Sequence, residues 1–155
     1  MLLYRISRAQ YANDLTGEGA RRNGGRWNLP GYACVYTAMS RSLAMLEFRV
    51  HLNNVSQVPP DLRLLCLEVP SRSVTEIDPA QVSPNWRNYP SPGECVRFGT
   101  IELLKCQSLL IKVPSVIVPE EFNIIINPAH RKMKEVKIVD CLPLILDPRL
   151  FGGGQ

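Results

Sequence analysis

Residues Gly24–Glu47 read GGRWNLPGYACVYTAMSRSLAMLE, and the parsing of this stretch decides the fold. It gathers a glycine pair, Arg26, Trp27, two tyrosines and Glu47. Gly24-Gly25 marks a backbone point able to take a positive φ or to approach a ligand closely. Gly31 closes the loop, and residues 32–37 form a short β-run with Tyr32, Cys34 and Tyr36 on one face and Ala33, Val35 and Thr37 on the other. The spacing predicts a helix next, capped by Ser40 or Ser42, with Leu43, Leu46 and Val50 as its apolar stripe. Glu47 falls on or beside that stripe. A carboxylate there must find donors or a cation, or take up a proton, because isolated buried charge is costly. Two readings stay open: a structural glutamate paired with an arginine, or a site carboxylate facing a cleft that the glycine loop and the tyrosine strand also line.

Outward from this stretch, residues 2–7 alternate as a strand, with Leu2, Tyr4 and Ile6 on one face and Leu3, Arg5 and Ser7 on the other. Arg5 is either a solvated edge residue or a rigidly placed fork for a carboxylate or phosphate. Residues 11–23 read as a long surface loop. Its Gly17-x-Gly19 is not a dinucleotide fingerprint, because Arg22 occupies the third glycine position and no strand immediately precedes it; a P-loop is also absent.

Further on, residues 62–69 read as a central strand, apolar on both faces. Residues 71–100 read as a long connection with at most short helices, and Trp86 and Tyr89 either pin it or line a pocket. Residues 100–107 suit a short helix. Residues 109–118 are β-forming but interrupted by Pro114, which leaves Ser115 at a break. Neither G-x-S-x-G nor a neighbouring histidine supports Ser115 as a nucleophile. In residues 123–127, Asn123, Ile125 and Asn127 oppose Ile124 and Ile126. Residues 135–146 offer one or two more strands, and the end, 152–155, reads as a flexible tail.

Composition narrows the class. A chain of 155 residues suits one domain over 1–155, and 45% hydrophobic with 21% charged residues argues against disorder. No apolar run approaches the roughly 20 residues that span a bilayer, and the start lacks a secretory signal. A net charge of +4 is spread along the chain with no basic run, so a basic cleft for a phosphorylated small molecule fits at least as well as a nucleic-acid surface. Five cysteines without C-x-x-C suggest free thiols in a reducing cytoplasm. His51 and His130 are isolated, and no metal site is expected.

In order along the chain stand YRIS at 4–7, GEGARRNGGRWN at 17–28, VYTAMSRSLAMLE at 35–47, VPSVIVPEEFNIIINPAH at 113–130 and LDPR at 146–149. Together they resemble the RES-domain family, toxins of bacterial toxin–antitoxin pairs, over nearly the whole chain. The chain departs from the family where Gly93-Glu94-Cys95-Val96 stands in place of a G-D-x-W-like fragment.

The resemblance implies an α+β fold similar to the ADP-ribosyltransferase toxins: a compact single domain with a twisted mixed or antiparallel sheet and a few helices. It implies NAD as substrate, with no separate cofactor, destroyed by hydrolysis or phosphorolysis; a protein-modifying ADP-ribosyltransferase is the alternative. The naming residues fall on Arg26, Glu47 and Ser115, and Arg5 and Tyr36 match pocket positions. On this reading Glu47 stabilises positive charge developing on the ribose, Arg5 and Arg26 clamp the pyrophosphate, and Tyr36 packs near the nicotinamide ring. Ser115 orients Glu47 or an arginine; Trp27 and Asn123 are further substrate contacts. The implied partner is a cognate antitoxin with a helix-turn-helix domain, and a homodimer is allowed. Direct nucleic-acid binding and membrane association are not expected of this chain.

Overall fold

The computed structural model describes residues 1–52 and 55–151; the expected tail at 152–155 lies outside them. Among the described residues there are seven strands: β1 (Leu2–Arg8), β2 (Val35–Ala38), β3 (Leu62–Glu68), β4 (Val74–Glu76), β5 (Leu110–Pro114), β6 (Phe122–Ile126) and β7 (Lys137–Pro143). Four α-helices accompany them: α1 (Glu18–Asn23), α2 (Arg41–Arg49), α3 (Pro79–Val82) and α4 (Gly93–Lys105). The strands form one sheet in the order β4-β5-β6-β2-β1-β3-β7. Only the β4–β5 pair is parallel, so the sheet is mixed and the class is α+β.

The join between β1 and β2 is the feature that matters for function. β1 pairs with β3 along its whole length, from Leu2↔Glu68 to Arg8↔Leu62. With β2 it shares the single register position Tyr4↔Ala38 among the described residues. The two halves of the sheet therefore part beyond that position, and residues of both strands line a cleft there.

Both faces of the sheet are covered. On one, Cys34, Ile111, Val113 and Ile125 pack with Trp27, Trp86, Cys95 and Leu103. On the other, Leu3, Val35, Leu67, Leu110, Ile124 and Ile126 make a second buried cluster. A third holds α2 in place through Ala38, Leu43 and Ala44, with Tyr4, Ile6 and Val118 against them. Burying a leucine such as Leu43 contributes about 2 kcal/mol. The opposition of Asn123 and Ile125 to Ile124 and Ile126 follows strand alternation: Ala38 pairs with Asn123 and Tyr36 with Ile125.

Two glycines are demanded by packing. Gly17, at the N-cap of α1, has φ +76°, and a Cβ there would lie 2.6 Å from the Cys34 nitrogen. At Gly99 a Cβ would lie 2.3 Å from the Trp27 carbonyl oxygen, so α4 can lie flush on the Trp27 backbone only without a side chain.

Several local expectations are corrected. Residues 11–23 are not all loop, because α1 occupies 18–23, and β2 begins at Val35, not Tyr32. The helix expected at 100–107 begins at Gly93, inside the supposed long connection. Ser40 is the N-cap of α2, accepting from the Leu43 N–H at 3.0 Å. The helix is rotated from the expected stripe: Leu43 is buried, but Leu46 and Val50 are 37% and 55% exposed. The small Ala44 lets the helix approach the sheet on its Leu43–Ala44–Glu47 side. That rotation carries Glu47 inward.

Candidate active site

A cleft of about 290 Å³ opens where β1 and β2 part, walled by both strands, α2, the start of α1 and Asn123 of β6. Glu47 lines it. The Ser115 hydroxyl donates to Glu47 Oε1 at 2.9 Å, and Asn123 Nδ2 donates to the same oxygen. Oε2 accepts nothing from the described residues. One oxygen is thus fixed from two directions while the other is available to a ligand, and no arginine pairs with the carboxylate.

Ser115 is able to hold Glu47 because its own position is overdetermined. It lies immediately after Pro114, in the turn between β5 and β6. Its Oγ accepts the N–H groups of Ile117 and Val118 at 3.0 and 3.1 Å, and its N–H donates to the Glu121 carbonyl at 2.8 Å. Its side chain is fully buried. The proline break expected from sequence is therefore the start of a turn whose hydroxyl is aimed at the carboxylate. Glu121 also binds the α2 cap, accepting from Ser40 Oγ at 2.8 Å, and so ties this turn to the helix that bears Glu47.

Tyr36 also lines the cleft. Its hydroxyl donates to Asn28 Oδ1 at 2.9 Å and accepts from the Trp27 N–H at 3.0 Å. Burial, and then the neighbouring Cys34 thiol, push its pKa well above the usual tyrosine value, so it stays a neutral donor. Gly25 makes room for it, since a Cβ there would lie 2.7 Å from the hydroxyl. Arg5 also lines the cleft and donates to the Asp14 carbonyl at 2.7 Å; burial lowers its pKa from the ordinary arginine value.

The structure thus brings Glu47, Ser115, Asn123, Tyr36 and Arg5 around one hollow. Trp27 and Arg26 stand apart from its lining. Trp27 is 2% exposed and packed in the core, where its indole cannot reach a ligand in the cleft; its backbone N–H holds Tyr36 instead. Arg26 NH1 donates to the carbonyl oxygens of Trp86 and Asn88, which ties the glycine loop to the 86–88 segment.

Two residues escaped the sequence reading. Asn28 is fully buried, and its Nδ2 bridges the carbonyls of Ala20 and Tyr32, each at 2.9 Å, so it organises the loop behind Tyr36. A buried asparagine beside a glycine pair is a usable signal only when its partners are known. His51 lines the cleft from the turn that follows α2, four residues after Glu47. Its i+4 spacing from Glu47 was legible, but it was weighed only as a metal ligand. Among the described residues no group of three or more metal-capable side chains forms, and no helix is long and apolar enough to cross a membrane.

Fold and site together define an α+β domain with one hydrogen-bonded carboxylate in the seam of a split sheet. The chain belongs to the RES-domain family, whose model matches residues 2–147. It is 39% identical over 152 residues to "Toxin Res" of Yersinia enterocolitica, covering 97% of this chain and 99% of that one. To the "Prs ADP-ribosylating toxin" of Sphingobium sp. it is 40% identical over 148 residues, covering 94% and 91%. "Toxin Res" of Pseudomonas putida is 39% identical over 155 residues, covering 97% and 100%. In the crystal structure of the M. tuberculosis MbcT–MbcA toxin–antitoxin complex, one chain has the same fold, with a TM-score of 0.76 at 21% identity over 97% of this chain and 86% of that one.

Proposed function

We propose that this chain is the toxin of a toxin–antitoxin pair and depletes NAD by cleaving its nicotinamide–ribose bond, by glycohydrolysis or phosphorolysis. The observation that carries the reading is Glu47, held at one oxygen by Ser115 and Asn123 and open at the other in a cleft. In NAD the leaving nicotinamide is cationic, so departure needs little acid catalysis. It needs stabilisation of the positive charge that grows on the ribose. A preorganised carboxylate supplies that. Oε2 binds the ribose hydroxyls and steadies the oxocarbenium-like transition state, and water or phosphate then completes the displacement. Ser115 and Asn123 act as positioning residues, Tyr36 packs near the nicotinamide, and Arg5 faces the anionic part of the substrate.

A second reading is favoured by one comparison, the Sphingobium relative named as an ADP-ribosylating toxin. On it the same cleft passes ADP-ribose to a protein side chain. Incubation with adenine-labelled NAD separates the outcomes: label as free ADP-ribose means hydrolysis, as its 1″-phosphate means phosphorolysis, and on protein means transfer. The chain acts in the cytoplasm, where NAD is found, and is held inactive by a cognate antitoxin carrying a helix-turn-helix domain. The toxin names of the relatives and the toxin–antitoxin complex that shares the fold support that pairing.

A further inference from the structure

The cleft needs a way to hold the phosphates of a dinucleotide, and its lining contains two side chains able to carry positive charge, Arg5 and His51. Arg5 is engaged with the Asp14 carbonyl. Arg26 does not line the cleft, and its NH1 donates to the carbonyls of Trp86 and Asn88. His51 is different: its backbone N–H donates to Phe48 O at 3.2 Å, which fixes the last turn after α2, while its exposed ring makes no hydrogen bond to the described residues.

Its placement relative to Glu47 is informative. His51 lies in the turn that follows α2, two residues beyond its last residue Arg49, and lines the same cleft as Glu47. The half-buried carboxylate and the exposed imidazole therefore border one cleft, so a dinucleotide whose ribose meets Glu47 has its phosphates in a hollow that His51 also lines. We infer that His51 is a substrate-contact residue that donates to the pyrophosphate of the bound dinucleotide. This deepens the NAD-cleaving function proposed above and rests on it. The residue contributes binding and not chemistry, because the contact is equal in the ground and transition states.

Steady-state kinetics and equilibrium binding test this together. His51→Ala raises the KM for NAD about tenfold with kcat within twofold of wild type, and weakens ADP-ribose binding by a similar factor. Binding of nicotinamide riboside, which lacks the phosphate, is unchanged, and His51→Gln, which keeps a donor, recovers part of the loss. An unchanged KM and ADP-ribose affinity in His51→Ala overturns the inference while leaving NAD cleavage intact. Equal weakening toward nicotinamide riboside also overturns it, since the residue would then act through the shape of the cleft. A wild-type protein that binds ADP-ribose but leaves NAD uncleaved removes the enzymatic reading alone; one that does neither removes both.

Discussion

Ser115 donates a 2.9 Å hydrogen bond to Glu47 across 68 residues of sequence, joining the turn after β5 to the last turn of α2. Because the hydroxyl also accepts two backbone N–H groups, its proton is directed at the carboxylate and nowhere else. The acid is thereby held in one rotamer at the edge of the split in the sheet.

Removing that hydroxyl should be felt twice. Ser115→Ala leaves two partly buried N–H groups without their acceptor, which costs about 1 kcal/mol of stability, and frees Glu47 to leave its working position. We expect kcat for NAD cleavage to fall on the order of 100-fold with a smaller change in KM. Kinetics on protein kept well below its melting temperature separates the two effects. Asn123→Ala lowers kcat in the same direction, and the double variant loses less than the sum of the singles, because both donors serve one oxygen.

Tyr36→Phe tests the other wall. The hydroxyl satisfies the Trp27 N–H and Asn28 Oδ1, so its loss leaves two partners unpaired and costs about 1–3 kcal/mol in denaturant unfolding. Gly25→Ala should disturb the same wall, since its Cβ would lie 2.7 Å from the Tyr36 hydroxyl.

Arg26→Ala should loosen the segment that it ties down. Hydrogen exchange around 86–88 rises in the variant, and rises less in Arg26→Lys, whose ammonium can donate to one or both of the carbonyls that NH1 binds. Unchanged exchange in Arg26→Ala would show that the carbonyl contacts do not hold that segment.

Thiol accessibility gives a further check with a defined pH sense. Cys34, Cys66 and Cys95 are buried and Cys141 is exposed, so a thiol reagent modifies Cys141 first in the folded protein. Burial pushes the Cys34 thiol up to about 12. Its folded pKa exceeds the ordinary cysteine value near 8.5, so the neutral thiol's contribution is complete below that value and is lost as pH rises toward about 12. Replacing Cys34 with Ala should flatten the alkaline fall in stability over that window, as read by urea midpoints.

Much of the fold was legible where alternation was strong. The strands at 2–7, 62–69 and 123–127 were visible because apolar and polar residues switch faces or both faces are apolar, and Ser40 announced a helix start. The rotation of α2 was not legible: hydrophobicity selected Leu46 and Val50, but close approach to the sheet favoured the side bearing Ala44. The early start of α4 was hidden because Gly93 and Gly99 lower helix propensity, although Gly99 is there to admit the Trp27 backbone. In the site, Glu47 and Ser115 were visible as a carboxylate on an apolar stripe and a serine after a strand-breaking proline. Arg26 could not be placed from sequence, since its partners are backbone carbonyls some 60 residues away that carry no side-chain signal.

The central claim is that the charge on Glu47 breaks the nicotinamide–ribose bond, and Glu47→Gln tests it most directly because the amide keeps the size of the side chain and removes its charge. With adenine-labelled NAD, the wild type should release ADP-ribose or its phosphate, while the folded variant, matched in circular dichroism and melting temperature, should leave NAD intact to within about 1% of the wild-type rate. Wild-type rates of NAD loss in Glu47→Gln would contradict the account.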